Sequence, residues 1–439
     1  MSGLAEVLLG RLFPVSGSDS HESELTKRLT SKGAQVYYGQ RAENIDDSVK
    51  VVVYTAAIRP DNPELMEAER RGLPLLTRAE LLGQLMRNYP VAAAVSGTHG
   101  KTTTTSMLAE ILMKEDLDPT ISVGGMLDSI GGNIRVGRSG VFLTEACEYT
   151  NSFLSFFPTL AIILNIRADH LDFFKDLEDI RHSFRKFAEL LPKDGLLVIS
   201  SAIENVEEIT AGLACKVALV GDRASDDYQI EDISFGREGN GSFTLRTRSL
   251  DHRIRIDLRV PGSHNVLNAA AAAAAALEMG VSENSVIAGL DAFHGTHRRF
   301  EFKGMLGRVK IVDDYAHHPD EIEATLRTAG TVNAKRVVCV FQPHTYSRTK
   351  ALLNEFVQAL SLADVVILAE IYPARETDTL GVHSSQIVEK LVQMGKEAYY
   401  FSTFEEIEKF ILKNSIDGDL LITMGAGNVV NIGENLLKG

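Results

Sequence analysis

Residues 93–106 read AVSGTHGKTTTTSM, and within them Gly97, Thr98, His99, Gly100, Lys101, Thr102 and Thr103 carry the groups that bind a phosphate chain. Glycine lets the backbone approach an anion closely. The N–H groups at a helix start point toward that anion, and the helix dipole adds to the attraction. Lys101 is placed to bridge terminal phosphates, and the Thr102 hydroxyl to hold Mg²⁺. A Walker A loop, G-x-x-x-x-G-K-[ST], would have its first glycine at position 95, which is Val95. Gly97 and Gly100 anchor this loop instead. The context suits a phosphate loop, with an apolar strand expected over 91–95 and a helix over 103–113. The plain alternative is an ordinary strand-to-helix turn with a surface lysine.

Other chemistry-bearing residues also follow apolar runs. Glu145 and Glu148 come after GVFL, and carboxylates at a strand's end face the ligand crevice of an open sheet. Glu145 could join Thr102 on Mg²⁺ as a hard oxygen donor. Asp169, His170 and Asp172 follow TLAIILNI, and His170 could ligate a metal or contact a phosphate. His264 and Asn265, behind Ser263 as an N-cap, are expected to face outward at a helix start, where an adenine edge could be read. Arg298 and Arg299 suit bidentate phosphate contact. Asp314, Tyr315, His317 and His318 end the run KIVDDYA, with Pro319 at the first helical position. His344 and Arg348 follow the next apolar run, RVVCVF. Solvated loop acids, structural histidines and surface arginines are the alternatives for these residues.

Strand-like and helix-like segments must position these groups, and they alternate through most of the chain, the pattern of parallel α/β domains. Residues 1–88 hold strands at QVYYG and VKVVVYTAA and amphipathic segments at 22–32 and 61–71. Residues 89–300 hold the loop and the strands GVFLTEA, TLAIILNI, GLLVIS and KVALVG. An antiparallel meander follows (YQIEDISF, GSFTLRTR and HRIRIDLRV), with GREGNG as a turn. NVLNAAAAAAAALEMG then reads as a helix packed close to a neighbour, stopped at Gly280. Residues 301–439 alternate five strands with helices at 319–329, 346–362, 384–394 and 404–413. This is a doubly wound sheet that ends on the turn GAGN.

The 439 residues are 44% hydrophobic, enough for about three cores at ~150 residues per domain. The net charge of −14 argues against a nucleic-acid partner. It leaves an anionic small ligand open, because local N–H groups, a lysine and a metal bind that. No run of 18 apolar residues predicts membrane insertion, and no leader pattern is seen at the start. The three scattered cysteines fit a reducing cytoplasm.

GTHGKTTTT, EACEY, DHLD, HNVLNAAAA, RRFE, DDYAHHP and FQPHTYSRT, in that order and over nearly the whole chain, resemble the Mur ligase family. GTHGKTT together with DDYAHHP is the specific part, because members adding later residues carry other sequences at the second motif. The resemblance implies an α/β fold of three domains. These are a Rossmann-like UDP-sugar-binding domain, a P-loop ATPase domain with an antiparallel β addition, and a Rossmann-like amino-acid-binding domain. It implies ATP-dependent ligation of L-alanine to UDP-N-acetylmuramate through an acyl phosphate, in cytoplasmic peptidoglycan precursor synthesis, by a monomer or homodimer.

Carried over to this chain, the resemblance places Gly97 to Thr103 on the phosphates and Thr102 with Glu145 on one magnesium, with His170 near a second. It places His264 and Asn265 on the adenine, and Arg298 or Arg299 with Asp314 on the rest of ATP. Tyr315, His317 and Arg348 fall near the incoming alanine. Lys101, Glu145, His170, His317 and Arg348 form the implied catalytic set. No role is assigned to Lys186. A glycine-rich loop that normally ends in Met-Ser-Gly-Leu-Ala is represented here only by MSGLAE. The first domain is therefore expected to lack its first strand, leaving a gap in its sheet. VSGSDS and VVYTAAI remain as uridine contacts. The alternatives are a ligase that recycles a longer peptide onto the same sugar nucleotide, or an ATP-binding paralogue without ligase activity.

Overall fold

The structure, a computed structural model, describes residues 1–55, 58–171, 173–249, 251–374, 376–377 and 380–438. Two compact units are present. The first is Met1–Ile230 with Arg246–Arg253 and Asn268–Gly289, and the second is Glu231–Leu245 with Ile254–Leu267 and Leu290–Gly439.

In the first unit, β1 (Ser16–Asp19) pairs with β2 (Gln35–Tyr38), and β3 (Val52–Tyr54) pairs with β4 (Leu75–Thr77), both parallel. They form two separate two-stranded sheets, which is the interrupted sheet expected from the sequence. A helix not foreseen in the sequence, Ser2–Gly10, precedes them. Its buried Glu6 is clamped by Arg28 and Lys32, each at 2.6 Å.

The main sheet of this unit holds β5 (Val91–Ser96), β6 (Thr120–Leu127), β7 (Gly132–Arg135), β8 (Val141–Glu145), β9 (Leu160–Ile163), β10 (Leu196–Ser200) and β11 (Lys216–Gly221). The spatial order is β11-β10-β9-β5-β8-β6-β7, parallel except for β6 with β7. Ala92, Ala93, Ala94 and Val95 in β5 are wholly buried, as a central parallel strand covered on both faces requires. The chain leaves β5 toward β6 on one side and later crosses to β9 on the other. The C-terminal end of β5 therefore lies where the connections diverge, the usual ligand crevice of an open α/β sheet.

β12 (Tyr228–Phe235), β13 (Asn240–Thr247) and β14 (His252–Pro261) follow beyond β11 and contribute residues to both units. Gly236 N donates to Asn240 O at 2.9 Å and closes the expected turn. Along β14, Ile254, Ile256, Leu258 and Val260 are buried, and the arginines and aspartate between them are exposed, a period of two. The alanine helix spans Ser263–Glu278 and stops before Gly280 at φ +83°. Ser263 is its first residue rather than its N-cap, because the left-handed Gly262, at φ +103°, makes the turn into it.

The sheet of the second unit contains β15 (Glu301–Leu306), β16 (Val309–Asp314), β17 (Arg336–Phe341), β18 (Val365–Leu368), β19 (Glu397–Tyr400) and β20 (Asp419–Met424), in the order β15-β16-β20-β17-β18-β19. Only the β15–β16 hairpin is antiparallel. Neighbouring residues feed opposite cores. Val312, Cys339 and Ile422 pack on one face, and Ile311, Val340 and Leu421 on the other. This is the expected doubly wound sheet, with two differences. The helical segment at 346–362 is two helices, Tyr346–Ala351 and Leu353–Leu360, broken at Leu352 (φ −113°, ψ 24°). The sheet ends on GAGN as expected, but an unforeseen helix, Val430–Leu436, follows that turn.

Candidate active site

In the first unit the loop Gly97–Gly100 connects β5 to the helix Lys101–Lys114, which starts two residues before the expected position. Gly97 (φ +141°) and Gly100 (φ +87°) adopt conformations that side chains resist. A Cβ on Gly100 would stand 2.5 Å from Asn268 Oδ1, and one on Gly97 would stand 3.0 Å from Leu164 Cβ. The loop is laced to the strand ends beside it. Thr98 N donates to Asn165 O at 3.1 Å, His99 N to Asn165 Oδ1 at 2.9 Å, and Arg167 N to Thr98 Oγ1 at 2.9 Å. Ser96 Oγ donates to Ala146 O at 2.8 Å. The first N–H groups of the following helix lack partners one turn back, so a rigid frame presents them to an anion.

Lys101 is folded into this frame. Its Nζ donates to Gly97 O at 2.6 Å, Thr98 O at 3.0 Å and both oxygens of the buried Glu148 at 2.9 and 3.2 Å. Burial works against its charge, but the nearby Glu148, Cys147 and Glu145 outweigh burial and raise its pKa, so the ammonium stays charged. Thr102 Oγ1 donates to Glu145 Oε2 at 3.0 Å, and the other carboxylate oxygen accepts from Gly124 N. A hydroxyl and a carboxylate at this spacing are the hard oxygen donors that Mg²⁺ takes, so these two residues fit that ion.

His170 sits at φ +53°, with its Nε2 3.9 Å from Glu148 Oε1 and 3.7 Å from Asp169 Oδ2. Its ring stacks on Tyr149, with centroids 4.4 Å apart. Asp172 lies outside the described residues, as do Ala56 and Ala57 of VVYTAAI. Ser18 of VSGSDS donates to Glu64 at 2.7 Å.

The second unit carries its own cluster at the C-terminal ends of β16, β17 and β20. Tyr315, half-buried, has the Arg298 guanidinium 4.9 Å and the Arg299 guanidinium 5.5 Å from its ring centroid. Asp314 is buried, and its carboxylate accepts from Ala316 N at 2.7 Å and Phe300 N at 2.8 Å. Burial pushes its pKa up to about 6, against the pull of Arg299 and those two N–H groups. His317 Nδ1 lies 3.0 Å from Tyr315 O and 3.3 Å from Glu321 Oε2. Both neighbours are acceptors, which assigns the proton to Nδ1 and a lone pair to Nε2. Burial lowers its pKa and favours this neutral form. The His317 and His344 rings are 5.8 Å apart, Arg348 Nη1 is 3.4 Å from His344 Nδ1, and His344 stacks on Tyr372. His318 is the N-cap of the helix Pro319–Ala329, with Pro319 at its first position as expected.

One expectation is corrected. Asn265 does not face outward. It is buried, and its Nδ2 donates to Pro261 O at 2.7 Å, closing the turn ahead of its own helix, whereas His264 is exposed. Glu148, named from the sequence as a crevice carboxylate, holds Lys101. Sequence reasoning missed two contributors, Asn268 against Gly100 and Asp313 on Arg298. Only Asn268 carried a usable signal, since it lies one helical turn beyond Asn265 at the head of the alanine run.

A phosphate-cradling loop with a lysine and a threonine–carboxylate pair in one unit, in a chain whose other α/β unit bears arginines and histidines at its strand ends, fits an ATP-using α/β ligase, and the chain belongs to the Mur ligase family. Residues 1–90 match the family's profile for "Mur ligase family, catalytic domain", 95–276 that for "Mur ligase middle domain" and 298–427 that for "Mur ligase, glutamate ligase domain". The chain is 56% identical over 438 residues to UDP-N-acetylmuramate–L-alanine ligase of Agathobacter rectalis, a match covering 100% of this chain and 95% of the other. The crystal structure of UDP-N-acetylmuramate–alanine ligase from Thermotoga maritima is similar with a TM-score of 0.81 at 31% identity, covering 100% of this chain and 96% of that one. A murein peptide ligase from Psychrobacter arcticus is similar with a TM-score of 0.72 at 25% identity, covering 100% and 96%.

Proposed function

We propose that the protein joins L-alanine to the carboxylate of UDP-N-acetylmuramate, with ATP converted to ADP and phosphate. The carrying observation is the loop Gly97–Thr103, with its charged Lys101 and the Thr102–Glu145 pair 3.0 Å apart. A carboxylate is a poor electrophile, so it first takes the terminal phosphoryl group and ADP leaves. The alanine nitrogen then attacks the acyl carbon and phosphate departs. Lys101 neutralises charge on the moving phosphoryl group, the kind of contact that acts mainly in the transition state. Bound at Thr102 and Glu145 with His170 nearby, Mg²⁺ would supply charge neutralisation at the phosphates.

We assign residues 1–88 to the sugar nucleotide, 89–300 to ATP and 301–439 to the amino acid. Exposed His264 serves the adenine end, and Asn265 holds the turn that carries it. Arg299, Asp314 and Tyr315 serve the rest of ATP, and Arg348 the alanine carboxylate. Neutral His317, with a lone pair on Nε2, suits the proton that the alanine ammonium must lose. No helix among the described residues is long and apolar enough to cross a membrane, and we place the reaction in the cytoplasm.

Phosphate release that requires both UDP-N-acetylmuramate and L-alanine is the expected result. Release indifferent to L-alanine would overturn the proposal. A tripeptide acceptor preferred over L-alanine would assign the chain to peptide recycling instead. Calorimetry with UDP-N-acetylmuramate tests the remaining alternative, since ATP binding without sugar-nucleotide binding would mark a paralogue.

A further inference from the structure

Arg298 and Arg299 are adjacent, yet their surroundings differ. Arg298 Nε donates to Asp313 Oδ2 at 3.0 Å, and its Nη2 donates to Gly425 O at 2.5 Å. Asp313 is wholly buried, and its other oxygen accepts from Thr423 Oγ1 at 2.6 Å. The backbone of Arg298 is held as firmly. Its N–H donates to Glu301 Oε2 at 2.9 Å, and its carbonyl accepts from Tyr315 N at 2.7 Å. Arg298 therefore ties the segment 298–301 to the ends of both β16 and β20. Arg299 has no such anchor. Its side chain is 34% exposed, and Nη1 is 3.8 Å from Glu321.

The segment needs anchoring. Arg298 (φ +60°) and Phe300 (φ +48°) flank Arg299, and both are left-handed non-glycine residues, a conformation that persists only where its surroundings impose it. We infer that Asp313 and Arg298 are positioning residues that clamp this turn so that Arg299 and the Tyr315 ring are presented to the anionic substrate of the second unit. The inference rests on the ligase reading for the identity of that anion, ATP, and on the geometry alone for the clamp. Arg298 is thereby withdrawn from phosphate contact, and Arg299 is left to make it.

The test is a set of double-mutant cycles in the full chain. Asp313→Asn removes the carboxylate charge and keeps its shape. Arg298→Lys keeps the charge and loses the fork that reaches Gly425. Each is made alone and combined with Arg299→Ala, and kcat, the KM for ATP and the thermal midpoint are measured. Acting through Arg299, each single change should lower kcat/KM for ATP about tenfold alone and less than about twofold in the Arg299→Ala background. Equal losses in both backgrounds would overturn the inference, as would full activity in folded Asp313→Asn. If a single variant fails to fold, the paired neutral change Asp313→Asn with Arg298→Gln removes the buried charge imbalance and takes its place in the cycle. Should the wild type form no ADP, the ligase reading fails by itself. The same cycles read by affinity for a fluorescent ATP analogue then decide the clamp.

Discussion

Lys101 Nζ donates to both carboxylate oxygens of Glu148, at 2.9 and 3.2 Å, and to the carbonyls of Gly97 and Thr98. The lysine of the phosphate loop is thus kept charged and folded inward by its own neighbours. On the proposed reading, a terminal phosphate draws this ammonium away from Glu148. Lys101→Ala is expected to lower kcat by about 10²–10³-fold, the usual loss for one transition-state charge contact. Alanine-dependent phosphate release measures it, and a variant keeping a tenth of wild-type kcat would remove Lys101 from the chemistry.

Thr102 and Glu145 should act as one unit toward divalent cation. Thr102→Val and Glu145→Gln are each expected to raise the Mg²⁺ concentration for half-maximal activity about tenfold or more, with Thr102→Ser near wild type because the hydroxyl survives. Direct Mn²⁺ binding followed by electron paramagnetic resonance provides the independent readout. Unchanged Mn²⁺ affinity in Glu145→Gln would separate this carboxylate from the metal.

Gly100→Ala meets two obstacles. Its left-handed backbone penalises any side chain by ~1–2 kcal/mol, and its Cβ runs into Asn268 Oδ1 at 2.5 Å. Gly131, at φ +62° with open space around it, meets only the first. Gly131→Ala should therefore lower the thermal midpoint slightly and spare ATP binding, and Gly100→Ala should lose both. Equal ATP affinities by calorimetry would show that the loop tolerates what its geometry forbids.

Burial, reinforced by His317 and Arg348, pushes the His344 pKa down to about 4 from an ordinary 6.5. As pH falls through that window, the unfolded chain takes up a proton that the folded chain refuses, so stability drops between pH 6.5 and 4 and levels off below. At pH 5 the loss is on the order of 2 kcal/mol. Asp314, raised to about 6, works in the opposite sense, because the folded state protonates first between pH 6 and 4. Comparing wild type with His344→Gln isolates the histidine. The midpoint difference should shift in favour of the variant on acidification from pH 7 to 5, and parallel pH curves would contradict the assignment.

Much of this site was legible because it is local in sequence. Gly97, Gly100, Lys101 and Thr102 sit within six residues, and a strand before and a helix after suffice to orient them. Glu145 and His170 were legible from topology, since both follow apolar runs that became neighbours of β5. The rest depended on long-range placement. Nothing in the spacing says that Glu148 rather than Glu145 meets the lysine, or that Asn268 closes on Gly100 across 168 positions of sequence. Asp313 and Asp314 look alike in sequence, but alternation along β16 sends the first to Arg298 and the second to the backbone of the following turn. Asn265 was misjudged because a polar residue at a helix start reads as exposed until its turn is seen to need it.

The alanine helix carries one more consequence. Ala269 to Ala276 are each 0–4% exposed, so at 100° per residue every side of this rod is enclosed. A compositional filter would discard the stretch as uninformative. Sterically it is a gauge, with each position admitting a methyl group and little else. Random mutagenesis should leave the run nearly blank except for glycine and serine, making the plainest stretch of the sequence one of its most particular.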